Sequence, residues 1–154
     1  MSAREGHIRT ILVPTDFSEG AAHALGWGQA LAQAFRAKII LLHVLDVPFA
    51  WTPVGGLGSI PTPLPTESVE QLTIEAQTIL DTLAQGAPEV TQRLVRKGHP
   101  REIILAATQE MDADAVVMGT HGRRGVSDLF LGSVAEHIVR HSPVPVLTVR
   151  SEEK

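Results

Sequence analysis

The segment Met118-Gly119-Thr120-His121-Gly122-Arg123-Arg124-Gly125-Val126-Ser127-Asp128-Leu129-Phe130-Leu131-Gly132-Ser133 combines residue types suited to holding a polyanion. Gly119 and Gly122 let a backbone turn sharply and approach a ligand without a Cβ in the way. Gly132 and Ser133 stand where a helix is expected to begin. A helix start presents N–H groups without intrahelical acceptors and the positive end of a dipole, and both suit phosphate. Amides from the loop and from the helix can then converge on one set of oxygens from two sides. Arg123 either pairs with phosphate oxygens or stays solvated, and Arg124 reads as a solvated loop charge. His121 either touches phosphate or shapes the loop.

Plainer explanations exist for each feature. Gly119 can simply end a strand, and Ser133-Val134-Ala135-Glu136 fits a capping box that needs no ligand. The coincidence of Gly119, Gly122, Gly132 and Ser133 at one strand end favours binding. The pattern is not a P-loop, because no glycine is followed five residues later by Gly-Lys. It is not a dinucleotide-binding signature either, because Gly119, Gly122 and Gly125 have the wrong spacing and follow the wrong strand. No Walker lysine and no convincing general base accompany it, and Asp128 has no obvious geometry for activating water. The histidines are scattered, and no pair reads as a metal site. His43, at a strand end, reads as structural. Trp27 and Trp51 read as packing residues rather than base-stacking platforms.

Alternating elements must position this segment. Thr10-Ile11-Leu12-Val13 is an apolar, partly β-branched run that Pro14 stops, as in a strand covered on both faces. Ser18 can cap a helix reaching about Phe35, with Ala21, Leu25, Ala32 and Phe35 near one face. Residues 38–44 form a second apolar strand. Residues 46–65 carry five prolines and three glycines, and the pattern collapses into a flexible insertion without regular structure. A helix follows to about Gln85 and ends at Gly86, with Val69, Leu72, Ala76, Ile79 and Leu83 at helical spacing. Residues 90–97 suit a polar edge strand. Pro100 opens a helix, residues 113–118 form a fourth strand, residues 133–141 a last helix and residues 144–149 a last strand.

Strict alternation implies one α/β domain spanning residues 1–154: a five-stranded parallel sheet with helices on both faces. Ligands in such sheets sit beyond the carboxyl ends of the strands, where strand order reverses. The site is expected between the ends of the first and fourth strands. That rule alone brings Asp16 near the glycine loop. There its carboxylate accepts from sugar hydroxyls or holds a hydrated cation, or else it caps the first helix.

Composition excludes several classes. With 44% hydrophobic and 19% charged residues the chain is an ordinary globular one, and a net charge of −4 does not favour nucleic acid. The chain has no cysteine, hence no disulfide and no thiolate metal site. The polar start reads as no export signal, and no apolar run is long enough to span a bilayer. A cytoplasmic protein without membrane attachment is the expectation.

Gly119, two residues, Gly122, nine residues and then Gly132-Ser133 resembles the G-x2-G-x9-G-[ST] motif of ATP-binding universal stress proteins. The resemblance runs over nearly the whole chain: Ile11-Leu12-Val13-Pro14-Thr15-Asp16-Phe17-Ser18, Leu41-Leu42-His43-Val44, Met118-Gly119-Thr120-His121-Gly122, and Pro143-Val144-Pro145-Val146-Leu147 are similar to the family's strands and turns. It implies the adenine nucleotide alpha-hydrolase-like arrangement with strand order 3-2-1-4-5. It implies ATP as ligand, with Mg or Mn on the phosphates. Asp16 would lie at the ribose and adenine side, with Pro14 and Thr15 shaping the wall and Met118 on the strand leading into the loop. Val44 would offer backbone contacts to adenine, and Gly119, Gly122, Gly132, Ser133 and Val134 would bind phosphates. It further implies a homodimer through the last strand. The resulting function is a nucleotide-responsive regulatory module with at most weak ATPase activity. The alternatives are a slow ATP hydrolase and a nucleotide-independent dimeric interaction protein.

Overall fold

The computed structural model describes residues 7–47, 49–56, 58–121 and 131–151. Gly122 and Arg123, with Arg124, Gly125 and Asp128, lie outside the described residues. The elements in chain order are β1 (Thr10–Pro14), α1 (Glu19–Phe35), β2 (Lys38–Leu45), β3 (Ala50–Pro53), β4 (Ser59–Thr62), α2 (Thr66–Gln85), β5 (Val90–Lys97), α3 (Pro100–Glu110), β6 (Ala115–Gly119), α4 (Ser133–His141) and β7 (Val146–Val149).

Five strands form one sheet in the order β5-β2-β1-β6-β7, and every neighbouring pair in it is parallel. Without the two strands of the β3–β4 hairpin, this is the 3-2-1-4-5 order. The chain reverses its winding between β1 and β6. β1 and most of β2 are buried because helices cover both faces. One core layer joins Ile11, Val13, Ile39 and Leu41 to α1 and α2 through Ala24, Leu25 and Leu80. The other joins Leu12, Ile40, Leu42 and Met118 to α3 and α4 through Ile104, Ala107, Ala135 and Ile138. Continuous apolar runs are what such two-sided burial demands.

The element starts have local causes. Asp114 Oδ2 accepts from the Arg9 and Thr10 amides at 2.9 and 3.0 Å, which anchors the beginning of β1 beside β6. Ser18 caps α1, its Oγ accepting from the Ala21 amide at 3.2 Å. The Pro145 carbonyl accepts from the Val116 amide at 2.9 Å, but proline has no N–H to return. β7 therefore begins at Val146 rather than at residue 144.

Several expectations are corrected. The proline-rich stretch is not without regular structure: β3 and β4 pair antiparallel from Ala50↔Thr62 to Pro53↔Ser59. The Thr52 and Thr62 hydroxyls lie 2.6 Å apart across that pair, and Thr62 also donates to the Ala50 carbonyl. Trp27 and Trp51 do not pack inside; they are 57% and 70% exposed. In α1 the buried positions are Gly20, Ala21, Ala24, Leu25, Gly28 and Ala32, so Trp27 and Phe35 fall off the stripe that faces the sheet. In α2 the buried positions are Ala76 and Leu80, whereas Leu72 and Ile79 are exposed.

Candidate functional site

A cavity of about 660 Å³ opens at the carboxyl ends of β1, β2 and β6. Pro14, Thr15, Asp16, Val44, Met118, Gly119, His121, Gly132, Ser133 and Val134 all line it. The fold thus gathers ten of the twelve candidate positions around one space. The other two, Gly122 and Arg123, fall in the segment outside the described residues.

The β1–α1 turn supplies one wall. Thr15 is buried, and its amide donates to the Leu42 carbonyl at 2.8 Å. Phe17 takes a left-handed conformation, φ 65°, which costs a non-glycine residue about 1 kcal/mol or more. Asp16 Oδ1 accepts from the Ser18 amide at 3.0 Å, so Asp16 braces the turn and the capping role belongs to Ser18.

Strand β2 outlasts β1, and this opens a backbone edge. The Leu42 carbonyl accepts from Thr15 on the β1 side, and the Leu45 carbonyl accepts from Gly98 on the β5 side. Backbone groups in a strand alternate sides residue by residue, so Val44 turns its N–H and C=O toward β1. But β1 ends at Pro14, whose partner is Leu42. The Val44 peptide edge therefore faces the gap beyond β1, on the cavity.

The opposite wall is the start of α4. Gly132 is the N-cap, and among the described residues no side chain caps the helix. The alternative reading of Ser133-Val134-Ala135-Glu136 as a capping box does not hold, because α4 begins one residue earlier than Ser133 as N-cap would require. The first amides of a helix have no intrahelical acceptor, and no capping side chain among the described residues takes them. Gly132, Ser133, Val134 and Ala135 all line the cavity.

Gly119 and Gly132 are required by space rather than by φ, since neither has a positive φ. A Cβ on Gly119 would stand 3.0 Å from the Gly20 carbonyl carbon, and one on Gly132 would stand 2.7 Å from the Thr120 carbonyl oxygen. These glycines let β6, α1 and α4 close to backbone contact. Packing thus supplies a steric reason for both glycines beside the ligand-based one. Thr120 is the buried joint: its amide donates to the Val149 carbonyl at 2.9 Å, and its own carbonyl accepts from the Gly132 amide at 2.7 Å.

His121 Nδ1 lies 3.0 Å from Thr120 Oγ1, while its Nε2 is buried with no hydrogen-bond partner. His43 does not line the cavity; it sits behind the β1–α1 turn. His137 and His141, four apart on α4, stack ring on ring at 4.2 Å, a spacing not picked out from the sequence. Among the described residues, no group of three or more His, Asp or Glu can hold a metal ion.

Asp46, Pro100, Ile104 and Leu131 also line the cavity and escape the sequence reading. The signal for Asp46 and Pro100 was present. Asp46 follows the end of β2 and Pro100 follows β5, so the rule of strand carboxyl ends applied to every strand, rather than to the reversal point alone, would reach them.

Residues 7–150 match the model of the universal stress protein family. Universal stress protein MJ0577 of Methanocaldococcus jannaschii is 30% identical over 153 residues, covering 92% of this chain and 94% of that one. A universal stress protein of Thermus aquaticus is 34% identical over 145 residues, covering 93% of this chain and 99% of that one. The solved structure of MJ0577 superposes with a TM-score of 0.75 at 28% identity, covering 97% of this chain and all of that one. UspA of Lactobacillus plantarum gives 0.72 at 26% identity, covering 95% and 100%. More distant structures share the fold: a universal stress protein in complex with cAMP, at 23% identity and TM-score 0.62, and an Arabidopsis thaliana member with AMP bound, at 18% and 0.59. With a family match over nearly its entire length and relatives at 30% identity or above, the chain belongs to the universal stress protein family.

Proposed function

We propose that the cavity binds ATP, with Mg or Mn on the phosphates, and that nucleotide occupancy makes the protein a regulatory module of the stress response. One observation carries this reading. The start of α4, uncapped among the described residues, and the open peptide edge of Val44 face a single cavity from opposite ends. The helix start suits phosphate oxygens. A free peptide edge, with one donor and one acceptor, suits the edge of a purine base. Between them Asp16 stands where a ribose would lie. The volume falls within the range of about 300–1,000 Å³ usual for small-ligand sites. The buried, unpartnered His121 Nε2 also fits a ligand that brings polar atoms of its own. The adenosine phosphates held by two distant members of the fold agree with this class of ligand.

Asp16 and Asp46 are the carboxylates among the described lining residues. Two such groups are too few to hold Mg or Mn alone, so phosphate oxygens would supply most of the ligands. The bound cation would offset phosphate charge, and Asp16 would orient the sugar. Mass spectrometry of nucleotide released from freshly purified protein should show ATP. In titration calorimetry with Mg-ATP, Asp16→Ala should weaken binding about 10- to 100-fold, the worth of a charge-assisted hydrogen bond. Release of no nucleotide, together with no heat from Mg-ATP, would end the proposal.

The chain is further proposed to act as a cytoplasmic, single-domain homodimer paired through β7. The Pro145 and Val149 carbonyls bond toward β6, so alternation turns the backbone of Val146 and Thr148 to the open edge of the sheet. Such an edge pairs readily with another chain. Thr148→Pro removes an outward N–H without touching the β6 ladder. Analytical ultracentrifugation should give a dimer for the natural chain and a monomer for Thr148→Pro; equal masses would place the seam elsewhere.

A further inference from the structure

We infer that His43 is a positioning residue for the nucleotide site, acting through the turn that carries Asp16. His43 lies on the face of β2 opposite Leu42 and Val44, so it touches that turn from behind the cavity. It is 8% exposed. Its Nδ1 stands 2.8 Å from the Thr15 carbonyl oxygen. A carbonyl can only accept, so Nδ1 carries the hydrogen and donates it. The same imidazole stacks on Phe17, with ring centroids 4.2 Å apart and planes inclined by 17°.

Thr15 and Phe17 flank Asp16. One side chain therefore grips the carbonyl before the site carboxylate and the ring after it. Phe17 is also the left-handed residue of the turn, φ 65°, and left-handed non-glycine residues persist only where their surroundings hold them. Stacking on a buried ring is such a restraint. With the imidazole removed, Phe17 can return toward an ordinary φ. The Ser18 amide then leaves Asp16 Oδ1, now 3.0 Å away, and the carboxylate loses its aim.

Three variants separate the two grips. His43→Asn places an amide N–H near the position of Nδ1 but removes the ring. His43→Phe keeps a ring for Phe17 but removes the donor. His43→Ala removes both. The first measurement needs no nucleotide: amide hydrogen exchange in the unliganded protein. In His43→Ala, exchange at Ser18 should quicken about tenfold, as expected for loss of roughly one hydrogen bond's worth of local restraint. His43→Asn and His43→Phe should each give a smaller change, and the Val13 amide in β1 should stay slow. An unchanged Ser18 rate in His43→Ala overturns the inference.

The second measurement rests on the ATP reading. Mg-ATP should bind about tenfold more weakly to His43→Ala, with partial recovery in the Asn and Phe variants. In an Asp16→Ala background, His43→Ala should weaken binding no further, because its effect travels through Asp16. An equal loss in both backgrounds overturns the positioning role. If the natural chain shows no affinity for Mg-ATP, the proposed function falls, while the Ser18 exchange rate still decides the role of His43.

Discussion

Replacing Gly132 with valine is expected to abolish Mg-ATP binding, with a loss of at least about 100-fold. The reason is steric and lies in the backbone. A Cβ at this position meets the Thr120 carbonyl oxygen at 2.7 Å, where the Gly132 amide already donates at 2.7 Å. Thr120 cannot yield, because it is buried and its amide is tied to the Val149 carbonyl. The start of α4 must move instead, and the amides of Ser133 and Val134 move with it. Two positioned amides contribute about 1–2 kcal/mol each to an anion, so their joint displacement accounts for a loss of this size. Ser133→Ala provides the contrast. It removes a hydroxyl and keeps the helix start, so binding should weaken by less than about tenfold. Gly20→Ala tests whether any added methyl near the loop suffices: its Cβ would lie 3.4 Å from the His121 carbonyl oxygen, an ordinary contact, and it should bind nearly as the natural chain does. Calorimetry across the three variants decides the matter. Tight binding by Gly132→Val would show that the α4 start does not hold the phosphates.

Periodicity made the sheet legible. The apolar runs at residues 10–13 and 38–44 can only be strands covered on both faces, and alternation with helices then leaves few topologies. The reversal between β1 and β6 followed, and with it the meeting of Asp16 and Gly119. What was hidden depends on distances between segments. No local pattern shows that a Cβ on Gly119 would strike Gly20, because the two are far apart in the chain. The open peptide edge of Val44 needs two facts together: the side to which β2 turns each backbone group, and the residue at which β1 stops. Trp27 is exposed although large aromatic residues are usually buried, because the stripe of α1 that meets the sheet is, apart from Leu25, made of small residues. Gly28 stands there, where a Cβ would come 3.0 Å from Val13 Cγ2, and no tryptophan would fit. The β3–β4 hairpin was masked by its prolines. Pro53 and Pro61 lie within a two-stranded ribbon, in which each strand has an open side that needs no donor.

Truncating Ile138 to alanine should lower stability and ligand affinity together. α4 has nine residues, too few to persist as a helix without tertiary support. Its support is the stripe of Val134, Ala135 and Ile138 against the layer formed with Leu12, Leu42 and Ile104. Ile138 is fully buried, and removing its outer carbons leaves a void between α4 and the sheet. Changes of this kind cost about 2–5 kcal/mol. For a chain of this length that corresponds to a fall in melting temperature of roughly 5–15 °C. Val139 is 47% exposed one residue further on, so Val139→Ala should stay within about 1 kcal/mol of the natural chain. The informative quantity is affinity measured well below either melting point. Because the amides proposed to bind phosphate belong to the helix that Ile138 anchors, Ile138→Ala should weaken Mg-ATP by about three- to tenfold while still folded. A thermal melt by circular dichroism, paired with calorimetry at low temperature, reads both effects. A large loss of stability with unchanged affinity would mean that the helix start is held in place by Thr120 alone, and that the core beneath α4 supports the fold without shaping the site.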